Sequence, residues 1–305
     1  MTNEITTQPA PLLSIVVATY NDWNVLDRCL QSLSQQTGTP SFEVIVADDG
    51  STEPAPEPVR NWSRHYSMKI TRQAHGGISV ARNRGIQASR GSVLLFIDAD
   101  CRLESDCLAN LARKLGELPR QSSFQLHLVG DRSNQVGRAE DLRLTTLQDY
   151  LLQPDGHIRY LNTAGFAIRR AKVSEDGNLF NPTAIRAEDT LLLATLLRLG
   201  ELPVYVPDAT VQHAIPLSLT HCLRKDIRSA YVEGRAYGLI AAKGVTIQLT
   251  NRERLNIMVS MWKTARQESI GRTAWVIVVG RQFLRLVVSM VYRLSHWPRS
   301  FRSLE

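Results

Sequence analysis

Apolar and polar positions along the first hundred residues form short blocks that predict strands and helices in turn. Continuous apolar runs predict buried strands at residues 12–20, 42–47, 68–72 and 92–97. Between these runs, apolar positions at helical spacing or helix-start residues predict helices at 23–36, 54–66 and 76–88. Strands that are apolar on both faces and joined by helices are typical of a parallel sheet covered by helices. We therefore predict an α/β fold with a mostly parallel sheet.

The second half of the chain has a less regular pattern. It predicts strands at 124–129, 160–169, 204–206 and 210–213, and helices at 142–152 and 188–199. From residue 217 onward the pattern is helical, with breaks near Gly244 and Gly271. We predict an α/β domain at residues 1–215 and a helical C-terminal region at 216–305.

The composition excludes several classes of protein. Hydrophobic residues make up 43% of the 305 residues and charged residues 21%, which allows a real core and excludes a disordered chain. The four cysteines are too few and too scattered for a disulfide framework, and the Cys101–Cys107 spacing fits no zinc motif. The N-terminus has no basic segment of a signal peptide, because Glu4 lies there and the first apolar run predicts a strand. We expect a reduced, cytoplasmic protein.

The positive charge is concentrated at one end of the chain. The net charge is +7, and residues 251–305 hold ten Lys/Arg against three Asp/Glu, so the preceding residues are neutral. A nucleic-acid binder is disfavoured, because the excess lies outside the predicted α/β domain. A basic C-terminal region suits a membrane surface or a polyanion equally well on charge alone.

Polar clusters follow three of the predicted strands, at Thr19–Asp22, Asp48–Thr52 and Asp98–Asp100. Open α/β sheets bind ligands beyond the carboxyl ends of their strands, so we predict a site there. Asp98 and Asp100 are two residues apart at a strand end, where both carboxylates can bind one Mg²⁺ or Mn²⁺. The alternative is a solvated turn with helix-capping acids.

The other candidate positions each have a plain structural alternative. Asp49 can accept hydrogen bonds from a ribose or a base, or can form an Asx turn. The glycine pair before the helix at 76–88 can bind an anion, or can be an ordinary loop. Glu188 and Asp189 can supply a general base, or can stabilise the start of a helix. His213 can complete a metal site, or can be structural.

In order along the chain, these segments resemble the family 2 glycosyltransferases, inverting enzymes of the GT-A fold. The resemblance covers about residues 12–215 and rests on five segments: Ser14–Asp22, Val44–Thr52, Gly77–Gly85, Leu94–Asp100 and Ala187–Asp189. It implies a nucleotide-sugar half at about 12–100 and an acceptor half at about 101–215. The chain departs from the family pattern at Ala187, where glycine is common, and at Cys101, where a further Asp is usual. The Gln-x-x-Arg-Trp motif of processive synthases is absent.

The resemblance also implies a role for each matching residue. Nucleotide-sugar contacts are implied for Thr19, Tyr20, Asp22, Asp49, Gly77, Arg82, Asn83 and Asp98. Metal contacts are implied for Asp98 and Asp100, and His213 is added to them as a candidate. Asp189 is implied as the catalytic base, with Glu188 as the neighbouring candidate.

The implied activity is that of a metal-dependent, inverting transferase of the hexosyltransferase type. The donor is a nucleotide-diphosphate sugar, with a UDP-sugar as the first expectation, and the acceptor is a glycan, a lipid-linked carrier or a peptide. A Rossmann dehydrogenase and a phosphate-loop NTPase are disfavoured, because their glycine motifs are missing. An inactive binding protein of the same fold is expected to have lost the acids that this chain keeps.

The C-terminal region contains a largely apolar stretch at 273–292. A membrane span is disfavoured, because Arg281 and Arg285 lie near its middle and each costs about 2.5–3.5 kcal/mol on insertion. Helical spacing places Arg281, Arg285, Ser289 and Arg293 in one polar stripe. We predict a soluble or peripheral protein. This stripe either faces anionic headgroups, or the helix packs on the catalytic domain or on a second copy.

Overall fold

The computed structural model describes residues 9–184, 187–213, 217–241, 247, 249–267 and 272–295, and the side chains of these except at 231–241 and 292–295. The chain divides into two compact units that interleave in sequence. The first unit consists of Met1–His127, Leu161–Pro182 and Pro203–Gln212, and the second of Leu128–Tyr160, Thr183–Leu202 and His213–Glu305. The predicted domain boundary between residues 215 and 216 remains a prediction.

An eight-stranded sheet forms the centre of the first unit. The last residues of two of its strands, Leu128, Val129 and His213, belong to the second unit. The strands are β1 (Leu13–Thr19), β2 (Phe42–Asp48), β3 (Ser67–Arg72), β4 (Val93–Asp98), β5 (Cys101–Leu103), β6 (Ser123–Val129), β7 (Phe166–Arg169) and β8 (Val204–His213). Their order in the sheet is β3-β2-β1-β4-β7-β6-β8-β5. Strands β1 to β4 are parallel, and β7 pairs antiparallel with both β4 and β6. The predicted parallel arrangement of the first four strands is confirmed.

Four helices accompany this sheet: α1 (Trp23–Ser34), α2 (Glu57–Asn61), α3 (Ile78–Ala88) and α4 (Cys107–Glu117). The interiors of β1 and β4 are fully buried, and α1 buries its Leu26, Leu30 and Leu33 face as its helical spacing predicts. The strand register places Thr19 opposite Asp48 and Ala18 opposite Asp98. The polar residues that follow these strands therefore share one edge of the sheet.

The second half of the first unit differs from the prediction in three places. The predicted strand at 160–169 is shorter, because Asn162 accepts a hydrogen bond from Ala164 N and a 3-10 turn at Thr163–Gly165 precedes β7. The two predicted strands near 204–213 are one strand, in which Pro207 and Asp208 are exposed. The pattern also missed β5, which is only three residues long, and α4.

The second unit is helical in its described part. Its helices are α5 (Gln135–Leu151), α6 (Glu188–Arg198), α7 (Leu219–Ala241), α8 (Asn251–Gln267) and α9 (Arg272–Ser295). Helix α5 begins seven residues earlier than predicted, because Asn134 caps it by accepting from Gly137 N at 2.8 Å. A core joins α5, α8 and α9 through Ala139, Leu142, Ile257, Met261, Ala265, Ala274 and Val278. The predicted helical region is confirmed, while the breaks near Gly244 and Gly271 lie outside the described residues.

Helix α9 carries a buried arginine. Arg281 is 7% exposed, and its Nε lies 2.6 Å from Asp226 Oδ2 on α7. Its Nη1 lies 2.8 Å from Glu140 Oε2 on α5. The prediction of a basic stripe that faces headgroups is therefore wrong at Arg281, because this guanidinium is paired inside the second unit.

Among the described residues, one helix is long and apolar enough to cross a membrane. It is the Arg272–Val291 part of α9, 20 residues with a mean hydropathy of 1.6, and 17% of the apolar window within it is buried. Length and composition alone do not distinguish a span from a helix that lies on a surface.

Candidate active site

The candidate site begins where β1, β2 and β4 end. Thr19, Asp48 and Asp98 are the last residues of these three parallel strands. Thr19 is 4% exposed, and its Oγ1 has no hydrogen-bond partner among the described residues. The Thr19 side chain is therefore part of the buried floor of this sheet edge.

The loop after β2 is built by Asp48. This carboxylate is buried, and its Oδ1 accepts a hydrogen bond from Ser51 N at 2.8 Å. Gly50 has φ +80°, and a Cβ there would come within 2.8 Å of His75 N. The Asp48 side chain thus closes a tight turn by accepting from the residue three positions on, and the turn requires glycine at position 50.

Asp49 holds the loop that leads to α3. Its Oδ1 accepts from Gly76 N at 2.9 Å and from Gln73 Nε2 at 2.8 Å. Its Oδ2 accepts from Gly77 N at 2.9 Å and lies 2.9 Å from His75 Nδ1. The carboxylate is buried and fixes the glycine pair before α3, and its implied contact with a ribose or a base remains a prediction.

Tyr20 and His75 form an aromatic surface beside this loop. Their rings are stacked with centroids 4.2 Å apart and an interplanar angle of 26°. Tyr20 is 43% exposed, so the pair is open to solvent. Sequence reasoning missed His75, because a single histidine in a loop has no pattern, although its position directly before Gly76 could have suggested it.

Arg82 is a fully buried cation whose partner is at the site. Its side chain is 2% exposed, and its Nη2 lies 2.8 Å from Asp98 Oδ1. The Asp98 side chain is 33% exposed, so its other surface faces solvent. The guanidinium also lies 5.5 Å from the centroid of Phe180, a second residue that the sequence pattern did not single out.

The Asn83 side chain binds the backbone of another segment, and Gly77 begins α3. Asn83 Nδ2 donates to Phe180 O at 2.7 Å, and Asn83 Oδ1 accepts from Phe180 N at 3.0 Å. Asn83 is 4% exposed, and these bonds hold Phe180 against Arg82. Gly77 is the N-cap of α3 with φ +93°. Nucleotide contacts for both residues remain predictions.

Acidic groups accumulate around the turn between β4 and β5. Asp100 lies in that turn, and Cys101 Sγ donates to Asp100 Oδ1 at 3.7 Å. Burial raises the pKa of the Cys101 thiol well above its usual range, and the charges of Asp100 and Asp98 raise it further, so this thiol is neutral. Partial burial, and then the charge of Asp100, also raises the pKa of Asp22. Burial is the main cause of both shifts, and the nearby carboxylates add to it.

His213 is half-buried and is the last residue of β8. Strand β8 lies beside β5 in the sheet, and Glu104 N donates to Thr210 O at 3.1 Å. The strand that carries His213 therefore runs beside the segment that follows Asp100. His213 itself belongs to the second unit, and its role as a metal ligand remains a prediction.

The two candidate base residues lie in the second unit. Glu188 and Asp189 form the first turn of α6 and are half-buried. Ala187 caps this helix with φ +64°, in the left-handed region, and its carbonyl accepts from Leu191 N at 2.9 Å. This backbone explains why glycine is common at the position in the family that the chain resembles. The preference for glycine at this position is a preference for the left-handed backbone, which alanine adopts here.

The sequence was compared with families of known proteins. It matches Glycosyl transferase family 2 over residues 14–177, which is more than half of the chain. The chain belongs to this family. The prediction of a glycosyltransferase is thereby confirmed at the level of the family. The match includes the edge of the sheet described above and ends before Glu188.

Known proteins agree with this family and fold. Validoxylamine A glucosyltransferase from Streptomyces hygroscopicus subsp. limoneus is 41% identical over 95 residues, which are 30% of this chain and 21% of that protein. The chain spans only about a quarter to a third of the length of several curated relatives that it matches.

Two solved structures resemble the whole chain. The mannosyltransferase PcManGT from Pyrobaculum calidifontis, in complex with GDP-Man and Mn²⁺, is 16% identical with a TM-score of 0.62, covering 96% of this chain and 89% of that one. TarS 1–349 from S. aureus in complex with UDP-GlcNAc is 18% identical with a TM-score of 0.54, covering 94% and 93%. At these identities the likeness concerns the fold, and it confirms the predicted GT-A-like architecture.

Proposed function

We propose that this family 2 member transfers a sugar from a nucleoside-diphosphate sugar to a hydroxyl of an acceptor, with inversion at the anomeric carbon. A UDP-sugar is the first donor to test, and a GDP-sugar is the second. The acceptor classes are a glycan, a lipid-linked carrier and a peptide. The observation that carries the proposal is the shared sheet edge, where Thr19, Asp48 and the solvent-facing Asp98 end adjacent parallel strands.

The first unit would bind the donor. The exposed Tyr20–His75 stack offers an aromatic face to a base. Arg82 holds the orientation of Asp98 through its 2.8 Å contact. Two related folds support this donor class, since they were solved with GDP-Man and with UDP-GlcNAc.

The acids of the β4–β5 turn fit a divalent cation. Asp98 and Asp100 provide carboxylate oxygens, which are the ligands that Mg²⁺ and Mn²⁺ prefer in proteins. Asp98, Asp100 and His213 are the residues that would hold the cation. A bound cation would supply positive charge to the departing diphosphate. The Mn²⁺ in the PcManGT complex supports this choice.

Asp189 would accept the proton of the acceptor hydroxyl as that oxygen attacks the anomeric carbon. It lies in the first turn of α6, where the helix dipole favours acidic side chains. Glu188 has the same dipole environment, so mutagenesis has to separate the two acids.

Purified full-length protein incubated with UDP- and GDP-sugars tests the proposal. We expect release of the nucleoside diphosphate that depends on Mn²⁺ or Mg²⁺ and stops in EDTA. Asp100→Ala should lose nearly all activity and keep its melting temperature within a few degrees, and the exposed Glu57→Ala on α2 is the matched control. Full activity in EDTA would contradict the cation, and donor binding without turnover on any acceptor class would indicate an inactive binding protein.

The base assignment has a separate test. Asp189→Asn is nearly isosteric but a poor base, so kcat should fall by about 10²-fold or more with little change in donor affinity. Normal turnover of Asp189→Asn together with an inactive Glu188→Gln would assign the base to Glu188. The anomeric configuration of the product, measured by NMR, tests inversion directly.

A further inference from the structure

Helix α9 presents a continuous apolar face to solvent. Its exposed large side chains are Val276, Phe283, Leu286, Val287, Met290 and Val291, with exposed fractions from 42% to 67%. They recur at helical spacing along four turns, so they share one side of the helix. Arg281 and Arg285, the two charged residues between Thr273 and Val291, lie on other faces by the same spacing. An exposed apolar stripe of this length on a soluble protein marks an interaction surface.

We infer that this face of α9 docks on the surface of an anionic phospholipid bilayer, and that α9 lies in the interface without crossing the membrane. This assignment concerns the second unit and does not depend on the proposed transfer reaction. It replaces the predicted contact through the arginine stripe with a contact through the opposite, apolar face.

The buried ion pairs explain why α9 does not cross. Arg281 binds Asp226 on α7 and Glu140 on α5, and the three side chains are between 5% and 14% exposed. A spanning α9 would either break these pairs or draw two polar helices into the hydrocarbon core. The same pairs orient the helix, because they hold the Arg281 side inward and leave the Phe283 side outward.

Charge favours an anionic bilayer over a second copy of the chain. Residues 251–305 hold ten Lys/Arg and three Asp/Glu. Among the described side chains of this region, the exposed basic ones are Arg252, Arg254, Lys263 and Arg266 on α8 and Arg272 on α9. Two copies joined through α9 would bring together two regions with the same excess of positive charge, whereas anionic headgroups neutralise one. An apolar helix face in a region with excess basic charge is typical of an interfacial helix.

Sedimentation with lipid vesicles tests the inference. We expect the full-length protein to bind vesicles of phosphatidylcholine mixed with phosphatidylglycerol, and to bind vesicles of phosphatidylcholine alone much more weakly. High salt should weaken the binding to the mixed vesicles. The double variant Phe283→Glu, Met290→Glu should reduce the partition coefficient by about tenfold or more, because it places two charges in the apolar face. Leu199→Glu, at the end of α6 and 58% exposed, is the matched control and should bind like the wild type.

Other outcomes overturn the inference. Equal vesicle binding by the wild type and the double variant would exclude the α9 face as the contact. A dimer in light scattering that the double variant dissociates, without vesicle binding, would assign the face to a second copy. Protein that resists high-salt and alkaline extraction from vesicles would show that α9 spans. Donor hydrolysis should be the same for the wild type and the double variant in the absence of vesicles, which separates this result from the proposed function.

Discussion

The two units each contain a buried arginine, and the two arginines have different surroundings. In the first unit, the Arg82 side chain is 2% exposed, and its carboxylate partner Asp98 is 33% exposed. In the second unit, the Arg281 side chain is 8% exposed and both of its carboxylate partners are almost as buried. Solvent reaches the carboxylate of the first pair, while all three side chains of the second cluster are largely buried.

The Arg82–Asp98 pair can therefore contact a ligand, whereas the Arg281 cluster only positions packed helices. A buried guanidinium behind an accessible carboxylate fixes the charge and direction of a group that a ligand can still reach. A closed cluster satisfies its own charges, so its contribution is the position of the helices that carry it. The comparison predicts that loss of each arginine affects a different property of the protein.

The largest expected effect is the loss of stability in Arg281→Met. Removal of the cation leaves Asp226 buried without its partner, and breaking a buried pair in this way costs about 3–5 kcal/mol. Glu140 keeps Arg143, which lies 2.6 Å away, so the damage is centred on Asp226. Urea unfolding monitored by circular dichroism measures the change, and donor hydrolysis per folded molecule should stay near that of the wild type.

The double variant Arg281→Met, Asp226→Leu is the control for this prediction. It removes both charges, so it should recover most of the lost stability. A double variant that is less stable than Arg281→Met would show that the cluster contributes net stability and not only helix position.

The next effect in size is the loss of activity in Arg82→Met. Methionine keeps the apolar contact with Phe180 but leaves Asp98 without its cation, and loss of a group that orients a metal ligand typically costs about 10- to 100-fold in metal affinity or activity. Kinetics of donor hydrolysis against Mn²⁺ concentration measure this effect. Arg84→Met, an exposed arginine on the same helix, is the matched control and should match the wild type.

A loss of stability in Arg82→Met as large as that in Arg281→Met, with normal kinetics of the folded protein, would contradict the distinction between the two clusters. Solvent reaches Asp98, so water can partly replace the lost guanidinium there. This replacement is not available to Asp226, which is 4% exposed.

The parallel part of the sheet and the candidate residues of the first unit could be predicted from the sequence. Strands that are buried on both faces leave continuous apolar runs, and each run is followed directly by its polar cluster. The contacts of those residues could not be predicted, because Asp49 binds a loop more than 20 residues away and Asn83 binds Phe180. Local pattern has no information on such distant pairs.

The Arg281 cluster shows the same limit in the second unit. Asp226 and Glu140 lie 55 and 141 residues from Arg281, and neither stands in a recognisable motif. Helical spacing correctly grouped Arg281 and Arg285 on one side of α9, but it contains no information on which side faces protein. Of the two alternatives for this stripe, the headgroup contact therefore does not hold at Arg281.

A smaller effect is expected from pH, through Glu140. Burial alone would raise the pKa of this carboxyl, but Arg143 and Arg281 outweigh burial and hold the pKa well below its ordinary value of 4.5. A lowered pKa in the folded state stabilises the protein fully above about pH 4.5, and this stabilisation is lost as the pH falls further. The free energy of unfolding, measured by urea titration from pH 6 to about pH 3, should therefore decrease more steeply in the wild type than in Glu140→Gln. Parallel curves would contradict the role of Glu140.

The smallest expected effect concerns Ala187, the residue before the candidate base. Its φ of +64° is costly for any residue with a Cβ, by about 1–2 kcal/mol, and glycine removes that cost. Glycine also makes the unfolded chain more flexible, which costs about 0.4–1 kcal/mol, so Ala187→Gly should stabilise the protein by about 1.6 kcal/mol at most. Ala112→Gly, inside α4, is the control and should destabilise by about 0.5–1 kcal/mol. A lower unfolding midpoint in both variants would show that Ala187 is not left-handed. If Ala187→Gly is more stable but kcat falls, then the strained alanine helps to hold the first turn of α6 in place for the base, since glycine satisfies the same backbone conformation with more freedom.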